Sequence, residues 1–262
     1  MCGIFGEINS DTSNLTLFRN SLDKMDHRGP DNTKIFKKDG VIFGSKRLSI
    51  RDLNDDANPP LLNETKDIVI IQNGEIYNTK QLGIVLKKKN IALKTKSDTE
   101  IILRLYCYFG IEATLSMLEG MFAFAIYDFK IDKLFLCRDK VGQKPIFFKK
   151  NKDQLVFSSE IKSIIHFTND NKLDNKNLLN PLFYNGPSPN TKTLFKNINT
   201  LLPGQYLIYE SKNKLSAKHY NNLRDFVDEK KYHNSKNSTE NELVNKLNDL
   251  LHNSVQSHML SD

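Results

Sequence analysis

No stretch of this sequence approaches the roughly 20 consecutive apolar residues that a membrane-spanning helix needs, although hydrophobic residues make up 39% of its 262 positions. The N-terminus, Met1-Cys2-Gly3-Ile4-Phe5-Gly6-Glu7-Ile8, lacks the basic segment and the long apolar run of a secretory signal. Cysteine is scarce: Cys2, Cys107 and Cys137 are the only three. An odd number with no CxxC pair argues against a disulfide framework and against a thiolate zinc site. The six histidines show no metal-ligand spacing, and a phosphate-binding loop of the GxxxxGK type is missing. These absences lead to the expectation of a reduced, soluble protein of the cytoplasm, with no metal, no membrane contact and no cofactor of its own.

An excess of acidic charge is also lacking. With 38 Lys and Arg against 31 Asp and Glu, the net charge is +7. A basic chain is a candidate for nucleic-acid binding. Here the lysines fall in short clusters, such as Lys87-Lys88-Lys89 and Lys149-Lys150, and the first has no interleaved aromatics on which bases would stack. The lysines read as a solvated surface, and no nucleic-acid partner is expected.

Short strand-like runs dominate the first 210 residues. Residues 2–8, 34–37, 41–43 and 68–71 read as strands, the last running straight into Asn73-Gly74. Residues 121–127, 134–137, 145–148 and 155–157 follow as successive antiparallel strands joined by polar turns. Leu15, Phe18, Leu22 and Met25 have helical spacing, and Ser97-Asp98-Thr99-Glu100 opens a helix with a capping-box pattern. Many strands with clustered helices indicate an α+β layered fold. Residues 211–238 are rich in Lys, Asn, Ser and Asp and read as a polar linker. A second capping box, Thr239 with Glu242, then precedes Leu243, Leu247, Leu250, Leu251, Val255 and Met259 on one helical face. Such a face needs a partner surface.

Cys2 differs from the other two cysteines by position. Removal of the initiator methionine leaves a thiol and a free α-amine on one Cα, so a single residue supplies nucleophile and base. Cys107 and Cys137 sit in apolar runs and read as core residues. Asn73-Gly74 after a buried strand offers a side-chain amide and a glycine N–H, the parts of an oxyanion hole; an ordinary Asn-Gly turn is the plainer alternative. Asp98 in the first turn of its helix suits either capping or an α-ammonium ligand. Arg47 suits a surface ion pair or a bidentate carboxylate site. The loop His27-Arg28-Gly29-Pro30-Asp31 reads as structural.

Taken in order, these residues resemble the class II, N-terminal-nucleophile glutamine amidotransferases, and among them the asparagine synthetases. The matching segments are Cys2-Gly3-Ile4-Phe5-Gly6, His27-Arg28-Gly29-Pro30-Asp31, Arg47-Leu48-Ser49-Ile50, Asn73-Gly74-Glu75-Ile76-Tyr77-Asn78, Ser97-Asp98-Thr99-Glu100, the run from Cys137 through Arg138-Asp139-Lys140-Val141-Gly142-Gln143-Lys144-Pro145, Phe157-Ser158-Ser159-Glu160-Ile161-Lys162-Ser163 and Leu202-Pro203-Gly204-Gln205-Tyr206. The resemblance implies a four-layer αββα sandwich of two antiparallel sheets between helices. It assigns Cys2 as nucleophile, Asn73 and Gly74 as oxyanion hole, Arg47 to the α-carboxylate of glutamine, and Asp98 with Glu75 to its amino-acid end. It divides the chain into a glutaminase domain at 1–210, a linker at 211–238, and, at 239–262, the first helix of a synthetase domain that does not continue here. ATP and Mg2+ would belong to that missing half, joined in cis or in trans. The implied activity is glutamine hydrolysis through a γ-glutamyl thioester, with the ammonia used to convert aspartate to asparagine; another carboxylate or a sugar as acceptor, a non-catalytic partner-binding role and a homodimer are the alternatives left open.

Overall fold

The computed structural model describes residues 2–8, 14–50, 52–152, 154–177, 191–210 and 214–259. Met1, residues 211–213 of the expected linker and residues 260–262 of the expected last helix lie outside them.

Two six-stranded antiparallel sheets form the centre. The first contains β1 (Gly3–Ile8), β2 (Asn32–Lys38), β3 (Val41–Arg47), β8 (Phe147–Lys150), β9 (Leu155–Ser158) and β10 (Ile198–Thr200), in the order β10-β8-β9-β1-β3-β2. The second contains β4 (Leu61–Leu62), β5 (Ile68–Ile76), β6 (Gly120–Asp128), β7 (Lys133–Arg138), β11 (Gln205–Glu210) and β12 (Lys214–His219), in the order β12-β11-β7-β6-β5-β4. Helices α1 (Leu15–Asp23) and α4 (Ile161–Thr168) cover the first sheet, and α2 (Thr79–Lys88) and α3 (Asp98–Met117) cover the second.

Strand periodicity explains the layering. Successive side chains on a strand point to opposite faces, and the central strands are apolar on both. On β6, Phe122, Phe124 and Ile126 pack toward α2 and α3, while Ala123, Ala125 and Tyr127 pack between the sheets. On β1, Ile4 and Ile8 face the second sheet and Phe5 faces α1 and α4. This is the expected four-layer α+β sandwich, with three stacked apolar layers.

Local differences have physical causes. Asn73 and Gly74 lie inside β5, not at a turn after it: the strand runs to Ile76 because its partner β6 pairs with it over the whole length. Ser97 caps α3 by accepting from the Thr99 N–H (3.2 Å), but Glu100 does not close the box. Its carboxylate instead accepts from the N–H groups of Lys94 (3.0 Å) and Thr95 (2.7 Å) and from Arg104 (2.9 Å). Cys107 is exposed on α3, contrary to the expected core position, whereas Cys137 is buried. Leu15 is exposed at the start of α1, while Phe18, Leu22 and Met25 are buried as expected.

The expected domain boundary at residue 210 falls between two paired strands. β12 pairs with β11 from Glu210↔Lys214 to Gln205↔His219, so the sheet runs on to His219. Its sequence, KLSAKH, is polar because it is an exposed edge, where charged side chains suit the position. The rest of the expected linker contains a 3-10 turn (Leu223–Phe226) and a short helix α5 (Glu229–Ser235). Helix α6 (Glu240–His258) begins with the expected capping box: the Glu242 N–H donates to Thr239 Oγ1 and the Thr239 N–H to Glu242 Oε2 (2.8 Å). No residue of α6 is buried. Among the described residues no helix is long and apolar enough to cross a membrane.

Candidate active site

The six residues singled out from the sequence, Cys2, Arg47, Asn73, Gly74, Glu75 and Asp98, line one pocket together. Cys2 comes from just before β1, Arg47 from the end of β3, Asn73, Gly74 and Glu75 from β5, and Asp98 from the start of α3. Leu48, Gln72, Met121 and Lys144 are among the other residues of its wall.

Cys2 precedes β1 and is partly buried; its Sγ makes a weak contact with the Leu48 carbonyl oxygen (3.8 Å). Burial pushes its thiol pKa up, with Asp98 adding to the rise; the Leu48 contact, the chain terminus and Arg47 work against it. A thiol in this position stays protonated unless a base takes its proton.

Asn73 is fully buried, and neither its amide nitrogen nor its amide oxygen has a hydrogen-bond partner among the described residues. A buried amide left unsatisfied costs about 1–3 kcal/mol, so its place on the pocket wall fits a ligand that supplies the missing partner. Gly74 is required by its neighbour strand: a Cβ there would sit 2.2 Å from the Met121 carbonyl oxygen on β6.

Arg47 ends β3 and is buried. Its guanidinium donates to the Asn58 side-chain oxygen and to the Asp52 carbonyl (2.6 Å), which fixes the fork with few degrees of freedom. A surface ion pair is therefore the wrong description of it. Asp98 does not cap α3, since Ser97 does so. Instead its Oδ2 accepts from the Ile76 N–H (2.9 Å) and from Gln72 Nε2 (3.1 Å), which turns the carboxylate toward β5 and the pocket.

Two residues next to these six escaped the sequence. Lys144 is buried on the pocket wall. Burial, then the nearby Arg28 charge, lower its pKa; Asp139, Cys2 and Glu75 oppose this. The Arg138-Asp139 pair puts it there. Asp139 accepts from the N–H groups of Gln143 and Lys144 (2.9 Å each), and Arg138 donates to the carbonyls of Lys144 (2.9 Å) and Gly142 (2.7 Å). The 140–144 loop is wrapped around these two side chains. The motif was visible in the sequence, but nothing in it showed that Lys144 turns inward. Arg28, read as part of a structural loop, donates through Nε to the Cys2 carbonyl (3.0 Å).

The Tyr77 ring packs against His258 of α6, with centroids 4.2 Å apart and the planes tilted by 46°. Burial, then Glu75 and Asp139, push the Tyr77 hydroxyl up to about 12. Among the described residues no group of three or more His, Cys, Asp or Glu is placed to hold a metal ion.

Comparison with known proteins agrees with this architecture. Asparagine synthetase [glutamine-hydrolyzing] 2 of Bacillus subtilis is 35% identical over the whole of this chain, which spans 36% of that protein. Putative asparagine synthetase [glutamine-hydrolyzing] 2 of Methanocaldococcus jannaschii is 32% identical, again over the whole chain and 53% of its own length. The chain thus spans between a third and just over half of such relatives. Among solved structures, the glutamine phosphoribosylpyrophosphate amidotransferase of B. subtilis superposes with a TM-score of 0.63 at 18% identity, over 84% of this chain and 49% of that one. That likeness carries the fold alone, the sandwich of two antiparallel sheets between helices. Residues 1–221 match the family model described as the glutamine amidotransferase domain, and the chain belongs to that family.

Proposed function

We propose that this chain hydrolyses glutamine to glutamate and ammonia with Cys2 as nucleophile, and that the ammonia serves a synthetase half converting aspartate to asparagine. The observation that carries the reading is the convergence of Cys2, the unsatisfied amide of Asn73, and the Arg47 and Asp98 side chains on one pocket.

Once Met1 is removed, the Cys2 α-amine takes the thiol proton, directly or through a water. The thiolate attacks the glutamine side-chain carbonyl, and the oxyanion is held by Asn73 Nδ2 and the Gly74 N–H. The ammonium of Cys2 returns a proton to the leaving nitrogen, and ammonia departs from a γ-glutamyl thioester. Water then adds to the thioester, with the amine again accepting its proton, and releases glutamate and the thiol. Arg47 holds the α-carboxylate, and Asp98 with Glu75 holds the amino-acid end. These contacts grip the unreactive end of the substrate, so the carboxamide falls at Cys2.

ATP and Mg2+ chemistry belongs to the synthetase half, joined in cis or in trans. The exposed apolar face of α6, from Leu243 to Met259, supports such a neighbour. Glutamate release by the purified chain, with and without ATP, tests the reading. Slow release independent of ATP, abolished by Cys2→Ala, is expected. Full activity in Cys2→Ala contradicts it.

A further inference from the structure

Cys2 stands where a strand ends, and the ladder of β1 with β3 begins only at Gly3↔Lys46. Chain ends are poorly ordered unless something ties them down. If Cys2 becomes the first residue, its thiol and its amine hang from one Cα, and any looseness there displaces nucleophile and base together.

The structure contains a tie. Arg28, at the end of the 3-10 turn Asp26–Arg28, donates through Nε to the Cys2 carbonyl (3.0 Å). The same guanidinium donates through a terminal nitrogen to Glu160 Oε1 (3.0 Å). Glu160 is held in turn by His27 at the same oxygen (2.9 Å) and by Lys162 at Oε2 (2.9 Å). Its own N–H donates to Ser158 Oγ (3.1 Å). Next to it, Ser159 brackets Ile4: the Ser159 N–H donates to the Ile4 carbonyl (2.9 Å) and the Ile4 N–H to Ser159 Oγ (3.1 Å). Residues 158–160 therefore grip the start of β1 by its backbone at Ile4 and, through Arg28, at Cys2.

We propose that Glu160 is a positioning residue for Cys2: it aims Arg28 at the Cys2 carbonyl and so fixes the thiol and the amine over the substrate carboxamide. Burial works against its charge, but hydrogen bonds from Lys162, Arg28 and His27 hold the Glu160 carboxyl below the usual range, so it is ionised whenever Arg28 needs it. Glu160 does not line the pocket, which separates this role from substrate binding. The inference rests on the glutamine-hydrolysing reading above.

Initial-rate kinetics of glutamate release test it in the wild-type chain and in Glu160→Ala, Glu160→Gln, Arg28→Ala, the Arg28→Ala/Glu160→Ala pair and Cys2→Ala. Misplacement of a reacting group by an ångström costs up to about a hundredfold, so Glu160→Ala is expected to lower kcat by at least about tenfold. KM for glutamine should stay within about twofold, because uniform binding is untouched. Glu160→Gln, which keeps an oxygen at the same reach, should recover part of the loss, and it carries the same test if Glu160→Ala does not fold. In the Arg28→Ala background, Glu160→Ala should cost less than about twofold more, since both residues act through one contact. Wild-type kcat in Glu160→Ala, a loss carried by KM, or full additivity with Arg28→Ala overturns the positioning role while an inactive Cys2→Ala leaves the glutaminase reading standing. An active Cys2→Ala overturns both.

Discussion

Phe124 on β6 is fully buried, whereas Leu247 on α6 is 55% exposed. Both belong to segments in which apolar residues recur with the period of their element. In the sandwich, the central strands find an apolar layer on both faces, and Phe124 packs against the α2–α3 layer. On α6, Leu243, Leu247, Leu250, Leu251 and Val255 form a stripe that no other part of the described chain covers. Periodicity tells which face an element buries, and only the fold tells against what. The sandwich buries its apolar faces, and α6 leaves its apolar stripe exposed.

The comparison is sharpest in stability. Phe124→Ala opens a cavity in a closed core and should cost about 3–5 kcal/mol in urea unfolding. A cost below about 1 kcal/mol would mean that the α2–α3 layer is loosely packed.

Within the sandwich, the site should be the next most sensitive place. Arg47→Ala and Asp98→Ala each remove one end of the proposed substrate clamp. Losing a charge-assisted contact in a desolvated site costs about 2–5 kcal/mol, to be read as a fall in kcat/KM for glutamine. Unchanged kinetics would return Arg47 to a purely structural role with Asn58 and Asp52, and Asp98 to its tie with β5.

Gly74→Ala tests the close packing of β5 against β6. A Cβ would meet the Met121 backbone at 2.2 Å, and overpacking of this kind costs about 1–3 kcal/mol. A thermal melt equal to wild type would show that the two strands are free to separate locally.

At the small end, Leu247→Ala on α6 should change stability by no more than about 0.5 kcal/mol, as for other exposed positions. Amide exchange should be fast through α6 and slow through β6. Strong protection of α6 in a monomer would break the comparison, because the helix would then have found its partner surface on the sandwich itself.

The legible and illegible parts of the molecule divide on the same line. That Cys2, Arg47, Asn73, Gly74, Glu75 and Asp98 belong together was suggested by residue type and local motif, and what the structure adds is that they line one pocket. What stayed hidden depends on distant pairing. β5 runs through Asn73-Gly74 because β6 pairs with it in register, which the local Asn-Gly signal contradicts. β12 has no apolar alternation to betray it, since it is a polar edge strand held by backbone bonds to β11. Lys144 reads as a surface residue by type and is turned inward only by the Arg138-Asp139 loop. Cys107 sits in an apolar run, yet α3 presents it outward. Glu100 satisfies the 94–95 backbone instead of its own helix end, a choice made by the loop that precedes the helix.

The proposed function depends on one cysteine, at a processed chain end, to do the chemistry. Mass spectrometry of the protein after reaction with a glutamine-analogue diazoketone tests it directly. Met1 should be absent and a single adduct should lie on Cys2, blocked by excess glutamine. Cys107 and Cys137 should stay unmodified, since desolvation holds the Cys107 thiol at about 11 even though the residue is exposed, and pushes the buried Cys137 thiol well up. Retained Met1 on active protein, or the adduct on Cys107 with Cys2 untouched, would contradict it.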